Sequence, residues 1–174
     1  MYTFSEKRPR AVASAREISY DRDKGGDGVI EILEQTPGLV VCIKPVGVRA
    51  QGEAEADLPA LLKRQLGCEI YPVHRLDQAV GGVMVFAKTA PAAAKLSQAI
   101  AGGALQKEYL AVLERSPERA EGELSDLLFH DRFKNKTYVV SKERKGVKKA
   151  SLSYRVVAEA DGLCLVHVRL HTGR

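Results

Sequence analysis

An aspartate flanked by an arginine precedes two glycines and a short apolar segment, in the stretch HRLDQAVGGVMVF. Asp77 would therefore lie at the entrance to a buried strand, where Gly81 and Gly82 let the backbone approach a ligand closely. A carboxylate in such a position can act as a nucleophile when a nearby cation favours its charged form. Taken alone, Asp77 could equally close a turn and pair with Arg75.

Two further segments carry candidate functional side chains. Tyr109 lies in KEYLAVL, where strand alternation places Tyr109 on one face and Glu108 on the other. A strand tyrosine usually belongs to the core, so a functional role is the alternative. The final residues, VRLHTGR, indicate a strand end turning into a loop, in which Arg174 either binds phosphate or is an ordinary charged terminus.

The spacing of cysteine, histidine and glycine residues indicates whether the sequence encodes a metal or nucleotide site. Cys164, His167 and His171 superficially resemble a zinc site. On a strand, however, 164 and 167 point to opposite faces, and 167 and 171 are about 13 Å apart on one face. A fourth ligand is missing, so we predict no metal. The glycine clusters match neither a P-loop nor a dinucleotide fingerprint, which predicts no nucleotide cofactor.

Positive charge is concentrated in one stretch. The chain has 174 residues and a net charge of +5, yet residues 131–155 contain nine cationic and two acidic side chains. The stretch is either a solvated loop or a phosphate-binding patch. Its candidate phosphate ligands are Lys134, Lys136, Lys145 and Lys148.

The length and composition of the chain limit the class of protein to which it can belong. The length suits one domain with a hydrophobic core. No apolar run is long enough to span a membrane, and the N-terminus lacks a signal-peptide segment. The three widely spaced cysteines contain no CxxC pair, which favours free thiols in a reducing cytoplasm.

The pattern of apolar residues predicts an α+β fold with a mixed, mostly antiparallel central sheet flanked by helices. Residues 1–28 read as a disordered tail, and 29–174 as the folded domain. Two helices are expected early, one capped by Asp57 and one by Thr89. The expected strands are Val29–Leu33, Leu39–Ile43, Val83–Ala87, KEYLAVLE, KTYVVS, KASLSYRVVAEA and LCLVHVRLH, with Asp161-Gly162 as a hairpin turn.

Four of these segments, in this order, resemble the motifs of RluA-type RNA pseudouridine synthases. LVVCIKPVGV resembles the Lys-Pro-x-Gly segment of that family, and VHRLDQAVGGVMVFAKT resembles its HRLD motif. The family commonly has Thr-Ser before the glycine, where this chain has Val80-Gly81. QKEYLAVL resembles its Lys-x-Tyr-x-Ala segment, and VRLHTGR resembles the start of its third motif.

The resemblance implies a function and a role for several residues. Asp77 would be the catalytic carboxylate, Arg75 would fill the space left by an extruded uridine, and Tyr109 would lie against the flipped uracil. His74, Arg174 and the four lysines would contact RNA. The reaction is an isomerisation, so no cofactor is expected, and the partner would be a ribosomal or transfer RNA stem-loop. The complete protein would be a monomer.

In the family, Thr-Gly-Arg is followed by x-His-Gln-Ile/Leu-Arg, whose last arginine pairs with the catalytic carboxylate. This sequence stops at Arg174, so the resemblance implies an incomplete catalytic domain. If the protein ends there, we expect poor solubility and loss of isomerase activity. Other hypotheses remain: a non-catalytic RNA-binding protein that uses the basic stretch, an inactive fragment of the same family, and an unrelated α+β scaffold.

Overall fold

The computed structural model describes residues 29–52, 54–134 and 136–172. The tail predicted for residues 1–28 lies outside the described residues, as does Arg174. The chain divides into two compact units at the boundary between Gly102 and Gly103. Each unit contains one antiparallel sheet, and two helices accompany the first, so the predicted α+β class is confirmed. No helix within the described ranges has the length and apolar character needed to cross a membrane.

The first unit contains a four-stranded sheet with the order β1-β2-β4-β3, in which every pairing is antiparallel. Its helices are α1 and α2. The bounds of these elements are β1 Ile32–Gln35, β2 Leu39–Lys44, α1 Leu58–Leu66, β3 Tyr71–Pro72, β4 Gly82–Ala87 and α2 Ala90–Ala101.

The core of this unit is built on β2 and β4. Val40 and Cys42 on β2 are fully buried, with half-buried residues between them. Met84 and Phe86 on β4 are also fully buried and lie in register with Cys42 and Val40. This alternation is what a strand produces when one face is covered. The two central strands therefore form a fixed platform for the loops at their ends.

Both helices begin and end close to the predicted residues. Gly67 adopts the left-handed conformation (φ 64°) that ends α1, as predicted. The hydroxyl of Thr89 accepts a hydrogen bond from the Ala92 N–H, which confirms it as the cap of α2. Asp57 occupies the N-cap position of α1, but its carboxylate makes no capping hydrogen bond, because other donors engage it.

The second unit is a five-stranded antiparallel sheet with the order β5-β9-β8-β6-β7. Asp161 and Gly162 both have positive φ in the β8–β9 turn, as a two-residue hairpin requires. This confirms the predicted turn. The strands are β5 Lys107–Leu113, β6 Glu121–Asp131, β7 Lys136–Val140, β8 Val147–Ala160 and β9 Leu163–Leu170.

The structure differs from the sequence-based expectation in the number of sheets and in two strands, β3 and β6, that were not predicted. The described strands form two sheets, where one central sheet was expected. β6, with eleven residues, was missed because EGELSDLLFHD contains no β-branched residue and several acidic ones. Its strand conformation is stabilised from outside, by pairing with β8 along one edge and β7 along the other.

The burial of Cys42 makes a prediction about thiol reactivity. Desolvation raises the pKa of the Cys42 thiol to about 12, which suppresses the reactive thiolate. Half-buried Cys68 serves as the internal reference. In native protein we expect iodoacetamide to modify Cys42 at least about a hundredfold more slowly than Cys68, as measured by mass spectrometry of peptides. In denaturant the two rates should converge. Equal rates in the native protein would contradict the full burial of Cys42.

Candidate active site

Asp77 lies in the connection between β3 and β4, on a turn that the structure fixes through its backbone. The Asp77 carbonyl accepts the Val80 N–H at 3.0 Å. The side chain itself projects into solvent, with 79% of its surface exposed. Arg75 approaches it at 3.5 Å between Nη2 and Oδ1 and is 70% exposed. At this distance and exposure the ion pair is weak, so both side chains can rearrange to meet a ligand.

A reciprocal pair of hydrogen bonds ties this turn to the loop after β2. The Gly47 N–H donates to the Gln78 carbonyl at 2.8 Å, and the Gln78 side-chain amide donates to the Gly47 carbonyl at 2.9 Å. Gly47 has φ 87°, a conformation that disfavours other residues. The backbone next to Asp77 is thus held by two contacts from a second loop, although its carboxylate is exposed.

A third contact comes from Lys44, which is the last residue of β2 and fully buried. Its Nζ donates to the carbonyls of Pro45 at 2.9 Å, Val48 at 2.7 Å and Gln78 at 3.3 Å. Buried ammonium groups require such acceptors, because removal from water is costly. Lys44 therefore joins the loop after β2 to the turn that carries Asp77.

Two opposing effects act on the protonation of Lys44. Desolvation by burial lowers the pKa of Lys44 below 10.5, and Coulomb attraction to Asp77 partly raises it. Because electrostatic coupling is mutual, the ammonium also attracts the Asp77 carboxylate. Lys44 thus adds a second positive charge near Asp77, besides the exposed Arg75.

Lys44 and Gln78 were not predicted from the sequence as site residues. Lys44 carried a signal, since a lysine that ends an apolar strand directly before Pro45 has an unusual position for a charged group. Gln78 carried none, because its role depends on the Gly47 carbonyl, which is 31 residues away in sequence.

The loop between β2 and α1 is organised by the buried carboxylate of Asp57. Asp57 Oδ1 accepts from Arg49 Nε at 2.7 Å, and Oδ2 accepts from the Ala54 N–H at 3.1 Å. Gly52, with φ 141°, packs so closely that a Cβ there would collide with the Asp57 carboxylate. These contacts explain why Asp57 does not cap α1, and they orient the half-exposed Arg49.

A cleft of about 280 Å³ lies beside the Asp77 turn. Two guanidinium side chains and two side-chain amides line it, a set that suits a phosphate or another polar oxygen group. Its lining residues are Arg49, Ala50, Gln51, Arg75, Leu76 and Gln78.

The other predicted site residues fall in different places. His74 is half-buried, and its Nε2 accepts the Val85 N–H at 3.1 Å, so it supports β4; its contact with RNA stays a prediction. Tyr109 is half-buried on β5 in the second unit, on the face that alternation predicted. Arg174 lies outside the described residues.

The four predicted phosphate-binding lysines are all exposed. Lys134 lies in the β6–β7 turn, Lys136 on β7, Lys145 in the β7–β8 loop and Lys148 on β8. The whole set of nine cations is exposed on these elements of the second unit. These nine exposed cations make up the basic surface of the second unit, which includes both faces of the sheet, since neighbouring strand residues such as Lys148 and Lys149 point to opposite faces.

One of the residues considered above as a zinc ligand, His167, lies close to a carboxylate. His167 Nε2 lies 3.1 Å from Glu108 Oε2, an exposed pair between β9 and β5. Within residues 29–52, 54–134 and 136–172, no group of three or more His, Cys, Asp or Glu side chains is placed to hold a metal ion.

Comparison with known proteins identifies the family. The profile described as "RNA pseudouridylate synthase" matches residues 38–174, which is most of the chain. The protein therefore belongs to the RNA pseudouridylate synthase family, as the four motifs indicated.

Individual relatives agree with this assignment. The chain is 37% identical over 91 residues to "RNA pseudouridine synthase 7" of Oryza sativa, covering 50% of this chain and 23% of that protein. It is 26% identical over 163 residues to "tRNA pseudouridine synthase C" of Vibrio cholerae, covering 84% and 66%. The chain thus spans about a quarter to two thirds of the length of these relatives.

Solved structures also resemble the fold. "Human RNA Pseudouridylate Synthase Domain Containing 4" matches with a TM-score of 0.68 and 25% identity, over 83% of this chain and 60% of that one. "Human RNA Pseudouridylate Synthase Domain Containing 1" matches with a TM-score of 0.72 and 18% identity over the same shares, which supports the fold alone.

The buried ammonium leads to a prediction about stability and pH. The pKa of Lys44 is lowered in the folded state, so between that value and 10.5 the unfolded chain binds more protons. The contribution of Lys44 to the free energy of unfolding therefore rises with pH across this window. Lys44→Met should remove this rise, and it should destabilise the protein by leaving three carbonyls without their donor.

Chemical denaturation at several pH values up to 10.5 measures this effect. We expect the difference in unfolding free energy between wild type and Lys44→Met to grow as the pH rises. Lys95→Met, which removes an exposed positive charge from α2, controls for the loss of charge alone. A difference that stays constant or shrinks over this range would contradict the proposed desolvation of Lys44.

Proposed function

We propose that the protein is an RNA pseudouridine synthase in which Asp77 is the catalytic carboxylate. The observation that carries this proposal is the support of the Asp77 turn by Lys44, Gly47 and Gln78. It combines a fixed backbone, an exposed carboxylate and a buried cation. This is what a nucleophile needs if it must meet a large substrate and remain charged.

The reaction explains these requirements. Pseudouridine formation breaks the bond between N1 of uracil and C1′ of the ribose, and forms a bond from C5 to C1′. C5 loses its hydrogen and N1 gains one, so atoms and electrons balance within the nucleotide and a proton from water. The uracil must be extruded from the RNA stack and held while detached, which favours a site with few competing waters.

Within this proposal, Arg75 fills the space left by the extruded uridine. Its exposed guanidinium and its loose pairing with Asp77 leave it able to move. Tyr109 lies against the flipped uracil and takes part in removing the C5 proton. The cleft beside Arg49 and Arg75 takes a backbone phosphate near the target nucleotide.

The proposed substrate is a stem-loop of ribosomal or transfer RNA. Relatives bear the names "tRNA pseudouridine synthase C" and "Ribosomal large subunit pseudouridine synthase D", the latter from Zymomonas mobilis. The nine exposed cations of residues 131–155 provide attraction to a phosphate backbone. His74 and Arg174 are proposed as further RNA contacts, and we propose a monomer acting in the cytoplasm.

A second candidate function is RNA binding without catalysis. The observation that favours it is the concentration of positive charge on the second unit, which would bind RNA whether or not Asp77 reacts. The Coulomb attraction between buried Lys44 and Asp77 favours the enzyme, because RNA binding by the cations of residues 131–155 does not need a charged carboxylate at position 77.

Asp77→Asn separates the two functions. Tritium released to water from RNA labelled at uracil C5 measures isomerisation, because that hydrogen leaves the ring. We expect the wild-type protein to release tritium and Asp77→Asn to be slower by at least about a thousandfold, since an amide can neither attack nor deprotonate. RNA affinity should stay equal or tighten slightly, because a negative charge near phosphates is lost.

Asp126→Asn, an exposed carboxylate on β6, is the matched control and should retain wild-type activity. A wild-type protein that binds RNA and releases no tritium would overturn the enzyme and favour the binding protein. Wild-type turnover by Asp77→Asn would overturn the role of Asp77.

The proposed proton transfer by Tyr109 makes a separate prediction. Tyr109→Phe keeps the ring and removes the hydroxyl, so it should lower the rate of tritium release by about a hundredfold or more. Its RNA affinity should be unchanged. Tyr109→Leu should weaken RNA binding as well, because the ring is lost. If Tyr109→Phe turns over at the wild-type rate, the hydroxyl has no part in the reaction.

A further inference from the structure

The β6–β7 turn displays a phenyl ring to solvent. Phe133 is fully exposed there, although a phenylalanine normally gains stability by burial. The turn conformation is fixed by Asp131, whose Oδ1 accepts the Phe133 N–H at 2.9 Å and the Lys134 N–H at 3.1 Å. The carboxylate thus holds the backbone from which Phe133 projects.

Cationic residues are the neighbours of Phe133 in this turn. Arg132 and Lys134 flank Phe133 in sequence and are exposed, and Lys136 pairs across the strands with Asp131. The acidic group of this turn is itself engaged by two backbone N–H groups. The turn therefore offers a ligand an exposed ring together with neighbouring exposed cations, which suits a flat aromatic group joined to anions.

The same hairpin contains an aromatic residue with a different role. Phe129 on β6 is half-buried, and the guanidinium of Arg144 lies 4.6 Å from the centre of its ring. Val147 and Tyr138 pair with it on the neighbouring strands. Phe129 is thus explained by packing within the fold, whereas the exposure of Phe133 is not.

We propose that Phe133 is a stacking platform for an unpaired RNA base, with Arg132 and Lys134 contacting the adjoining phosphates. This inference rests on the proposed function, since it assumes an RNA ligand, and it adds a recognition site on the second unit. Bases inside a duplex are already stacked on their neighbours, so the site should select loops or single strands. A protein partner would prefer a continuous apolar patch, and the cations around Phe133 disfavour that.

Affinity measurements on a small set of variants test the proposal. Phe133 contributes nothing to the core, so Phe133→Ala should unfold at the wild-type temperature. It should weaken binding of a stem-loop RNA by at least about fivefold, and binding of a blunt duplex by less than about twofold. Phe133→Trp should bind at least as tightly as wild type. Phe133→Leu should behave like Phe133→Ala, because it is apolar but has no flat π face.

Val139→Ala is the matched control, since Val139 is an exposed apolar residue on the adjacent strand. The salt dependence of affinity provides a second readout. Phe133→Ala should leave the slope of log affinity against log salt unchanged, because no phosphate contact is lost. Lys134→Gln should reduce that slope by about 0.7 to 0.9.

The chain contains no tryptophan, so Phe133→Trp also introduces a single fluorescent reporter. Stem-loop RNA should quench its emission in proportion to binding, and the duplex should not. Equal binding of stem-loop RNA by wild type and Phe133→Ala would overturn the proposal. Wild-type affinity of Phe133→Leu for stem-loop RNA would also overturn it. That result would show that an apolar side chain is sufficient and that no flat ring stacks on a base.

These outcomes are distinct from failure of the enzyme. If the wild-type protein releases no tritium but binds stem-loop RNA through Phe133, the stacking site is supported and the isomerase is overturned. If it releases tritium and Phe133→Ala binds RNA as wild type does, the isomerase is supported and the stacking site is overturned.

Discussion

The burial of the Lys44 ammonium is the constraint on which the candidate site depends. A charge can be removed from water only where it is compensated, and three backbone carbonyls and the Asp77 carboxylate compensate this one. Those carbonyls belong to two loops that β2 and β4 bring together. The same contacts that satisfy the lysine therefore fix the backbone beside Asp77. The stability of this unit and the chemistry proposed for Asp77 therefore depend on the same hydrogen bonds.

The candidate site combines a backbone held by hydrogen bonds with side chains that are exposed to solvent. The backbone around Gly47 and Gln78 is bound from both sides, while the side chains of Arg75 and Asp77 remain largely exposed. An enzyme for a large RNA can use this arrangement, because the substrate itself can exclude water when it binds. The basic surface of the second unit can attract that substrate without contributing to the chemistry.

The sequence predicted most elements, since hydrophobic alternation, Thr89, Gly67 and Asp161-Gly162 are local signals. It failed for β6, whose strand conformation comes from its neighbours. It failed for the carboxylate of Asp57, which Arg49 and Ala54 engage in place of the helix. The candidate site likewise contains residues that local motifs predict and residues that only the fold brings together. Motifs indicated Asp77 and Arg75, whereas the support from Lys44 and Gln78 depends on contacts between distant loops.

The most direct test of the account is a structure of the protein bound to a stem-loop RNA, in which the distance from the Asp77 carboxylate to the nearest uridine is measured. The account predicts an extruded uridine within about 4 Å of Asp77 Oδ1 or Oδ2, with the ring of Tyr109 against its base and Lys44 still bound to the Gln78 carbonyl. An RNA held only by the basic surface, with every uridine stacked and Asp77 in open solvent, would contradict it.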